Sequence, residues 1–247
     1  RNNELISMDF PVVTEEIAKE MVLSMVGPEG MKKLETNRDL DFSTAISDNG
    51  HRFRVNAHYQ RDSIGISFRV IPNKIYSIDQ LHLPPIVKEL TELPRGLVLV
   101  TGHTGSGKST SLASMIDIIN RKYRKRVITL EDPIEYLLEN KQCMIEQREI
   151  GFDCPDFASG LKHVLRQDPD VIMVGEMRDL ETTSSTITAA ETGHLVFSTL
   201  HTVNAPQTIE RIIDIYPAGQ QGQIRTMLAN TLQAVISQTL FRRIDEP

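Results

Sequence analysis

The chain is poor in cysteine, in positive charge and in long apolar runs, and each shortage removes a class of protein. Cys143 and Cys154 are the only two cysteines in 247 residues. With polar neighbours and no CxxC spacing they build neither a disulfide framework nor a structural zinc site, and they fit a reducing, cytoplasmic setting. Lys plus Arg number 27 against 33 Asp plus Glu, a formal charge of −6. That sign is wrong for a domain whose main task is to neutralise nucleic-acid phosphates, so no nucleic-acid partner is expected, although a local basic face survives the argument. No apolar stretch approaches the roughly 18 residues that cross a bilayer as a helix. No signal-like apolar segment follows Arg1, and no repeat or low-complexity tract is visible. The chain stops at Asp245-Glu246-Pro247 without an obvious closing element and reads as a fragment.

The composition is otherwise that of an ordinary globular protein, 40% hydrophobic and 24% charged, in a length that suits one large domain or two modest ones. Up to about Val70 the pattern mixes a helix with alternating strands. Thr14 reads as the N-cap of a helix that places Ile17, Met21 and Met25 on one face, with Glu15 and Glu16 in the first turn, where the dipole favours anions. The period then drops to two. Phe53, Val55, Ala57 and Tyr59 alternate with Arg52, Arg54, Asn56 and His58, and Ile64, Ile66, Phe68 and Val70 repeat the pattern beyond Arg61-Asp62-Ser63. This predicts a β-hairpin with one buried face. Pro72, Pro84-Pro85 and Leu93-Pro94-Arg95-Gly96 punctuate the stretch after the hairpin, with a short apolar helix carrying Ile86, Val87 and Leu90 between the last two. The boundary is expected there, giving domains of 1–84 and 85–247.

From Gly96 onward, short apolar runs alternate with helical patterns, the signature of an α/β fold with a mainly parallel sheet covered on both faces. Strands are expected at 97–101, 127–130, 171–174 and 195–200. Leu112, Met115, Ile116 and Ile119 share one helical face, Phe157, Leu161, Val164 and Leu165 another, and a late helix uses Ile224, Leu228, Leu232, Val235 and Ile236.

Gly102-His103-Thr104-Gly105-Ser106-Gly107-Lys108-Ser109 fits GxxxxGK[ST] in full and lies between an expected strand and an expected helix. Such a loop turns backbone N–H groups around phosphates, offers the positive end of a helix, puts Lys108 on the β and γ phosphates and gives Ser109 to a magnesium ion. ATP and Mg2+ are therefore the expected ligands, with Thr104, Gly105, Ser106, Gly107, Lys108, Ser109 and Thr110 as the nucleotide-binding set. The alternative is a glycine-rich turn that binds nothing. Asp170-Val171-Ile172-Met173-Val174-Gly175-Glu176 reads as an apolar strand delivering an acid to its C-terminal end, where ligands bind in open α/β sheets, on a strand neighbouring the phosphate loop. Glu176 there either holds the magnesium shell or orients water for attack; by itself it would read as a solvated loop acid.

Glu131-Asp132-Pro133-Ile134-Glu135 gathers further acids at a strand end, where a desolvated Glu131 would have the raised pKa of a general base; the alternative is a turn with exposed acids. His194 precedes a strand and reads as structural. His201 follows that strand at the phosphate end, placed to donate to a γ phosphate unless it is merely solvated or capping. Arg121-Lys122-Tyr123-Arg124-Lys125-Arg126 is the one basic run, and a solvated helix exit explains it better than a nucleic-acid or membrane surface. Arg52, Arg54 and Arg69 lie opposite the apolar face of the hairpin, either as a solvated sheet face or aimed at an anion.

With these elements in order, nearly the whole chain resembles the secretion ATPase superfamily, most closely its type IV pilus retraction ATPases. The resemblance is carried by the Walker A residues 102–109, the aspartate box Thr129-Leu130-Glu131-Asp132-Pro133-Ile134-Glu135, the Walker B stretch from Asp168-Pro169-Asp170 through Glu176 to Met177-Arg178-Asp179, and the histidine box 192–202. Arg52-Phe53-Arg54-Val55-Asn56 and Phe68-Arg69-Val70-Ile71-Pro72 resemble the family's PAS-like N-terminal domain. It implies a small α+β PAS-like domain followed by a RecA-like core. It also implies Glu131 as general base, Glu176 as the Walker B acid sharing magnesium with Ser109, and His201 as γ-phosphate sensor. Arg54 and Arg69 would reach a nucleotide across a domain or subunit boundary in a homo-hexamer. Such a motor would be cytoplasmic, peripheral at the inner membrane on a pilus platform protein. The family's first strand and helix, and its C-terminal domain with the AIRNLIRE motif, have no counterpart here. Phe241-Arg242-Arg243-Ile244-Asp245 lacks the paired-cysteine motif of secretion and pilus-extension relatives, which favours retraction.

The leading expectation is thus a motor coupling Mg-ATP hydrolysis to domain motion that powers pilus retraction and twitching motility. The alternatives are a pilus-extension or type II secretion ATPase, and a nucleotide-binding assembly scaffold with little turnover, against which the acids Glu131 and Glu176 argue. A DNA translocase is disfavoured by the charge of −6.

Overall fold

In the first part of the chain, helical spacing gives way to alternation, and a computed structural model turns both into one helix-on-sheet layer. The described residues are 6–7, 9–45, 52–71 and 74–241; Pro72 and the 242–245 stretch lie outside them. The chain divides into two compact units, 1–73 and 74–247. In the first, helix α1 (Glu15–Asn37) covers an antiparallel sheet of β1 (Asp39–Ala45), β2 (Arg52–Gln60) and β3 (Ser63–Ile71), in the order β1-β2-β3. Thr14 caps α1, its Oγ1 accepting the Ile17 N–H at 3.4 Å. The helix runs well beyond Val26, with a break at Gly27-Pro28, because proline removes a ladder donor and crowds the preceding turn.

Burial corrects the expected helix face. Ala18 and Val22, then Met31 and Leu34, pack with Phe42, Val55 and Ala57; of the expected face Met25 packs against this cluster, whereas Ile17 is 42% and Met21 37% exposed. One residue is a rotation of about 100°, and the smaller Ala18 and Val22 let the helix lie closer to the sheet. The hairpin forms as expected on a two-residue turn, Arg61 and Asp62 at φ 46° and 64°, the I′ geometry that follows strand twist. Its apolar face is only partly covered: Val55 and Ala57 are buried, while Phe68 and Val70 are exposed. Strand β1, an Asp39-Leu40-Asp41-Phe42 pattern without a continuous apolar run, completes the sheet on the other side of β2.

The second unit is a six-stranded, wholly parallel sheet. Its strands are β4 (Gly96–Thr101), β5 (Arg126–Glu131), β6 (Met144–Glu149), β7 (Val171–Val174), β8 (Leu195–Leu200) and β9 (Leu232–Ser237), in the order β6-β5-β7-β8-β4-β9. Alternation splits the strand side chains between two cores. Val98, Val100, Val127, Val171 and Phe197 meet α2 (Ile86–Leu90) and α3 (Lys108–Lys122) through Val87, Leu112, Met115, Ile116 and Ile119. Leu99, Ile128, Leu130, Ile172 and Val196 meet the other layer: α4 (Phe157–Val164), α5 (Leu180–Glu191), α6 (Ala205–Asp214) and α7 (Gln221–Thr231).

At the sheet edges one expectation fails and one strand goes unread. Leu232, Val235 and Ile236 do not extend the late helix; α7 ends at Thr231 and the chain becomes β9 against β4. The β-branched pair Val235-Ile236 suits a pleated surface, and pairing along β4 outweighs the i,i+4 spacing. Edge strand β6, Met-Ile-Glu-Gln-Arg-Glu, carries too few apolar residues to read as a strand.

Candidate active site

Because the strands are parallel, β4, β5, β7 and β8 all end on one rim, and the conspicuous polar motifs follow those ends. From Thr101 the chain enters the glycine-rich loop and then α3. A Cβ on Gly102 would lie 2.3 Å from the Gln238 carbonyl oxygen and 2.6 Å from Ser106 Oγ, so backbone packs there where no side chain fits. Gly107, at φ 92°, turns the chain into α3. Lys108 is 9% exposed, and its ammonium donates to the carbonyls of Gly102 at 2.8 Å and His103 at 3.1 Å. Burial lowers its pKa, opposed by the negative charges of Glu176 and Glu135. Ser106 Oγ is buried with no protein partner. Ser109 and Thr110 are half-buried in the first turn of α3, and Thr110 Oγ1 meets the Tyr136 hydroxyl at 2.8 Å.

Glu131 ends β5 as a buried carboxylate. Its Oε1 accepts Thr129 Oγ1 at 2.6 Å and Gln147 Nε2 at 2.9 Å. Burial raises its pKa, and those two hydrogen bonds together with one from the Glu135 main chain oppose the rise, favouring the charged form.

Glu176 lies two residues beyond β7. The segment is pinned from β8: Ser198 Oγ donates to the Val174 carbonyl at 2.8 Å, Thr199 Oγ1 to the Gly175 carbonyl at 2.6 Å, and the Met177 N–H to the Thr199 carbonyl at 3.2 Å. One Glu176 oxygen pairs with Arg178; the other is buried, 3.3 Å from His201 Nε2. Arg178 also lies 4.0 Å from Asp132, so it spans the acids that follow β5 and β7. His194 accounts for itself structurally, with Nδ1 2.9 Å from the Ala189 carbonyl.

Lys108, Glu131, Glu176 and His201 therefore follow four strand ends of one rim. Glu176 does not come from a strand adjoining the phosphate-loop strand, because β8 lies between β7 and β4. Arg54 and Arg69 are in the first unit, where the register sets them directly opposite each other on β2 and β3. Four residues lack a role in the sequence reading: Arg178, which bridges the two acids, Thr129 and Gln147, which hold Glu131, and Tyr136, which meets α3. Arg178 stands within the Walker B stretch. Gln147 has no motif, and only its place opposite Thr129 in the β5–β6 register gives it away. The basic run is largely neutralised by the protein itself: Arg121 pairs with Asp117, Lys122 with Glu92 and Arg126 with Glu146.

The polar groups on this rim are of the kinds that a nucleotide phosphate and a magnesium ion take. Among the described residues no three His, Cys, Asp or Glu side chains gather as a self-sufficient metal site. Magnesium needs only one or two protein oxygens where phosphate and water complete its shell, which Ser109 and Glu176 can supply. The partnerless Ser106 Oγ and the buried Lys108 ammonium suit phosphate oxygens.

Residues 39–247 match the family model described as "Type II/IV secretion system protein". The chain belongs to this family. All four quoted motifs, and Arg54 and Arg69 of the hairpin, fall within the matched span. The chain is 44% identical over 237 residues to the type IV pilus retractation ATPase PilT of Pseudomonas aeruginosa, covering 96% of this chain and 69% of that protein. It is 45% identical over 244 residues to the twitching motility protein of Neisseria gonorrhoeae, covering 99% and 65%. The crystal structure of the pilus retraction motor PilT with bound ADP superposes with a TM-score of 0.90 at 49% identity, over 94% of this chain and 67% of that one. The chain thus spans about two thirds of the length of these relatives. Within this type II/IV secretion family member, no helix among the described residues is long and apolar enough to cross a membrane.

Proposed function

We propose that this chain is the greater part of a hexameric pilus retraction ATPase, a PAS-like domain followed by a RecA-like core. On this reading it works at the cytoplasmic face of the inner membrane on a pilus platform protein. The observation that carries the reading is the placement of Lys108, Glu131, Glu176 and His201 on one rim, which also carries the buried, partnerless Ser106 hydroxyl of the glycine-rich loop. Lys108 exchanges two loop carbonyls for phosphate oxygens of ATP, gaining a full opposite charge in place of dipoles. Glu131, buried and held from the sheet side, takes the proton of the attacking water. Glu176 and Ser109 would hold the magnesium, and His201, beside Glu176, donates to the γ phosphate and registers its departure. Bound magnesium would draw charge from the phosphate oxygens as it develops. The PilT structure with bound ADP supports nucleotide binding by this chain.

Arg54 and Arg69 complete the reading. Like charges directly opposite across two strands disfavour the sheet unless an anion lies between them. The anion is the nucleotide of a neighbouring subunit, whose γ phosphate the arginines neutralise as it leaves.

The experiment uses the full-length protein. Mg-ATP turnover should rise more than linearly with concentration. Arg54→Ala and Lys108→Ala subunits, each inactive alone, should regain part of the turnover when mixed. Specific activity independent of concentration, with no rescue, leaves the arginines as surface residues. Restored twitching in cells lacking their own retraction ATPase supports retraction, whereas restored pilus assembly in cells lacking their own extension ATPase assigns the chain to extension.

A further inference from the structure

We infer that Gln147, on edge strand β6, is the positioning residue for Glu131: one amide grips both the carboxylate and the main chain of the segment just beyond it. The inference rests on the reading of Glu131 as the general base.

The amide leaves little of its bonding capacity unspent. Its Nε2 donates to Glu131 Oε1 at 2.9 Å and to the Tyr136 carbonyl at 2.8 Å, while its Oε1 accepts the Leu138 N–H at 2.8 Å. Turning the amide over would set its oxygen against two acceptors and its NH2 against a donor, so one orientation survives. The register explains how it reaches. Thr129 and Gln147 are partners on β5 and β6, as are Glu131 and Glu149, and the Thr129 hydroxyl grips the same Oε1 at 2.6 Å. Glu131 is thus fastened from the sheet side by two neutral donors on neighbouring strands.

The grip reaches the phosphate loop as well. Tyr136, whose carbonyl Gln147 holds, meets Thr110 in the first turn of α3 through its hydroxyl. One polar side chain on an edge strand therefore ties the base to the helix that carries Lys108 and Ser109. A purely structural glutamine would need only the two main-chain contacts, which already close the 132–138 segment; the third, to Glu131, aims a carboxylate.

The amide also bears on the charge of Glu131, because its donation favours the carboxylate against burial. Charged groups on the elements around Glu131 are Arg126 on β5, Asp132 and Glu135 in the segment after it, Glu146, Arg148 and Glu149 on β6, Glu176 and Arg178 after β7, and Lys108, Asp117, Arg121 and Lys122 on α3; of these, Glu135 acts on it by charge. A change at Gln147 leaves all of them in place, so the pH profile reads the amide.

The test measures steady-state Mg-ATP turnover of the full-length assembled protein against pH for Gln147→Met, which keeps volume and removes the donors. Gln147→Glu keeps shape and adds a second carboxylate. For Gln147→Met, kcat at neutral pH should fall about tenfold, the scale of one hydrogen bond to a charged group, with KM moved less than about twofold. The acidic limb should move to higher pH, so that the deficit shrinks as pH is raised, and Gln147→Glu should move it further the same way. An equal deficit at every pH, or no deficit, in both variants overturns the inference. Glu131→Gln separates this from failure of the base reading. If that variant keeps the wild-type limb, Glu131 is not the base and the inference falls with it. If the limb vanishes there while both Gln147 variants retain it unmoved, the base stands and only the role of Gln147 is lost.

Discussion

Glu131 and Glu176 follow neighbouring strands, are each 8% exposed and serve the same rim, yet they keep different company. Glu131 meets a hydroxyl and an amide, both neutral. Glu176 meets a guanidinium and an imidazole, the first charged and the second able to become so. An acid among neutral donors in a buried setting is suited to taking and giving a proton; an acid paired with a guanidinium is suited to trading one cation for another. Two carboxylates equal in exposure are thus fitted by their neighbours to two kinds of work.

The sharpest way to break the contrast is to neutralise each acid in turn. Glu131→Gln should lower kcat by about 10²–10⁴-fold with little change in KM and should abolish the acidic limb of the pH profile. In the wild type that limb should lie above the ordinary glutamate range, because burial raises the pKa and activity is lost as pH falls through it. Glu176→Gln should cost roughly 10–100-fold, keep the limb, and raise the magnesium concentration needed for half-maximal turnover. Identical pH profiles and magnesium requirements for the two variants would erase the distinction.

A smaller effect sharpens it through stability. With its folded pKa above the unfolded value, Glu131 favours the fold fully below the unfolded pKa, and that contribution is lost as pH rises through the folded pKa. Glu131→Gln should therefore unfold at about 2 °C higher temperature than wild type at neutral pH, with the gain fading in acid, as differential scanning calorimetry would record. Tyr136→Phe, which removes only the hydroxyl contact to Thr110, should change KM for Mg-ATP about twofold and leave the pH profile in place.

The contrast also marks how far sequence reasoning reaches. Glu131 and Glu176 are legible because each ends a short apolar run, and because β4, β5, β7 and β8 are buried on both faces and need continuous apolar residues. Their partners are not. Gln147 belongs to a strand too polar to be recognised, and its function depends on register, a property of two segments at once. The same holds for β9, where local spacing from Ile224 and Leu228 argues for helix and only the presence of β4 alongside decides for strand. In the first unit, Ala18 and Val22 win the buried face over bulkier neighbours for a reason of fit that hydrophobicity alone does not rank.

The close fit of Gly102 against residue 238 reaches into the synthesis of the protein. The Gln238 N–H donates to the Thr101 carbonyl at 2.8 Å, its side chain donates to Ser111 Oγ at 2.8 Å, and the Thr101 and Ser237 hydroxyls meet at 3.1 Å across 136 positions of chain. The floor under the phosphate loop is therefore made long after the loop itself. At about 5–20 residues per second, a nascent chain carries the whole 102–109 motif for roughly ten seconds before the strand that braces it exists. Contacts this distant along the chain also form slowly once available. A nascent chain in this interval has the motif but not yet the backbone of residue 238 that packs against Gly102.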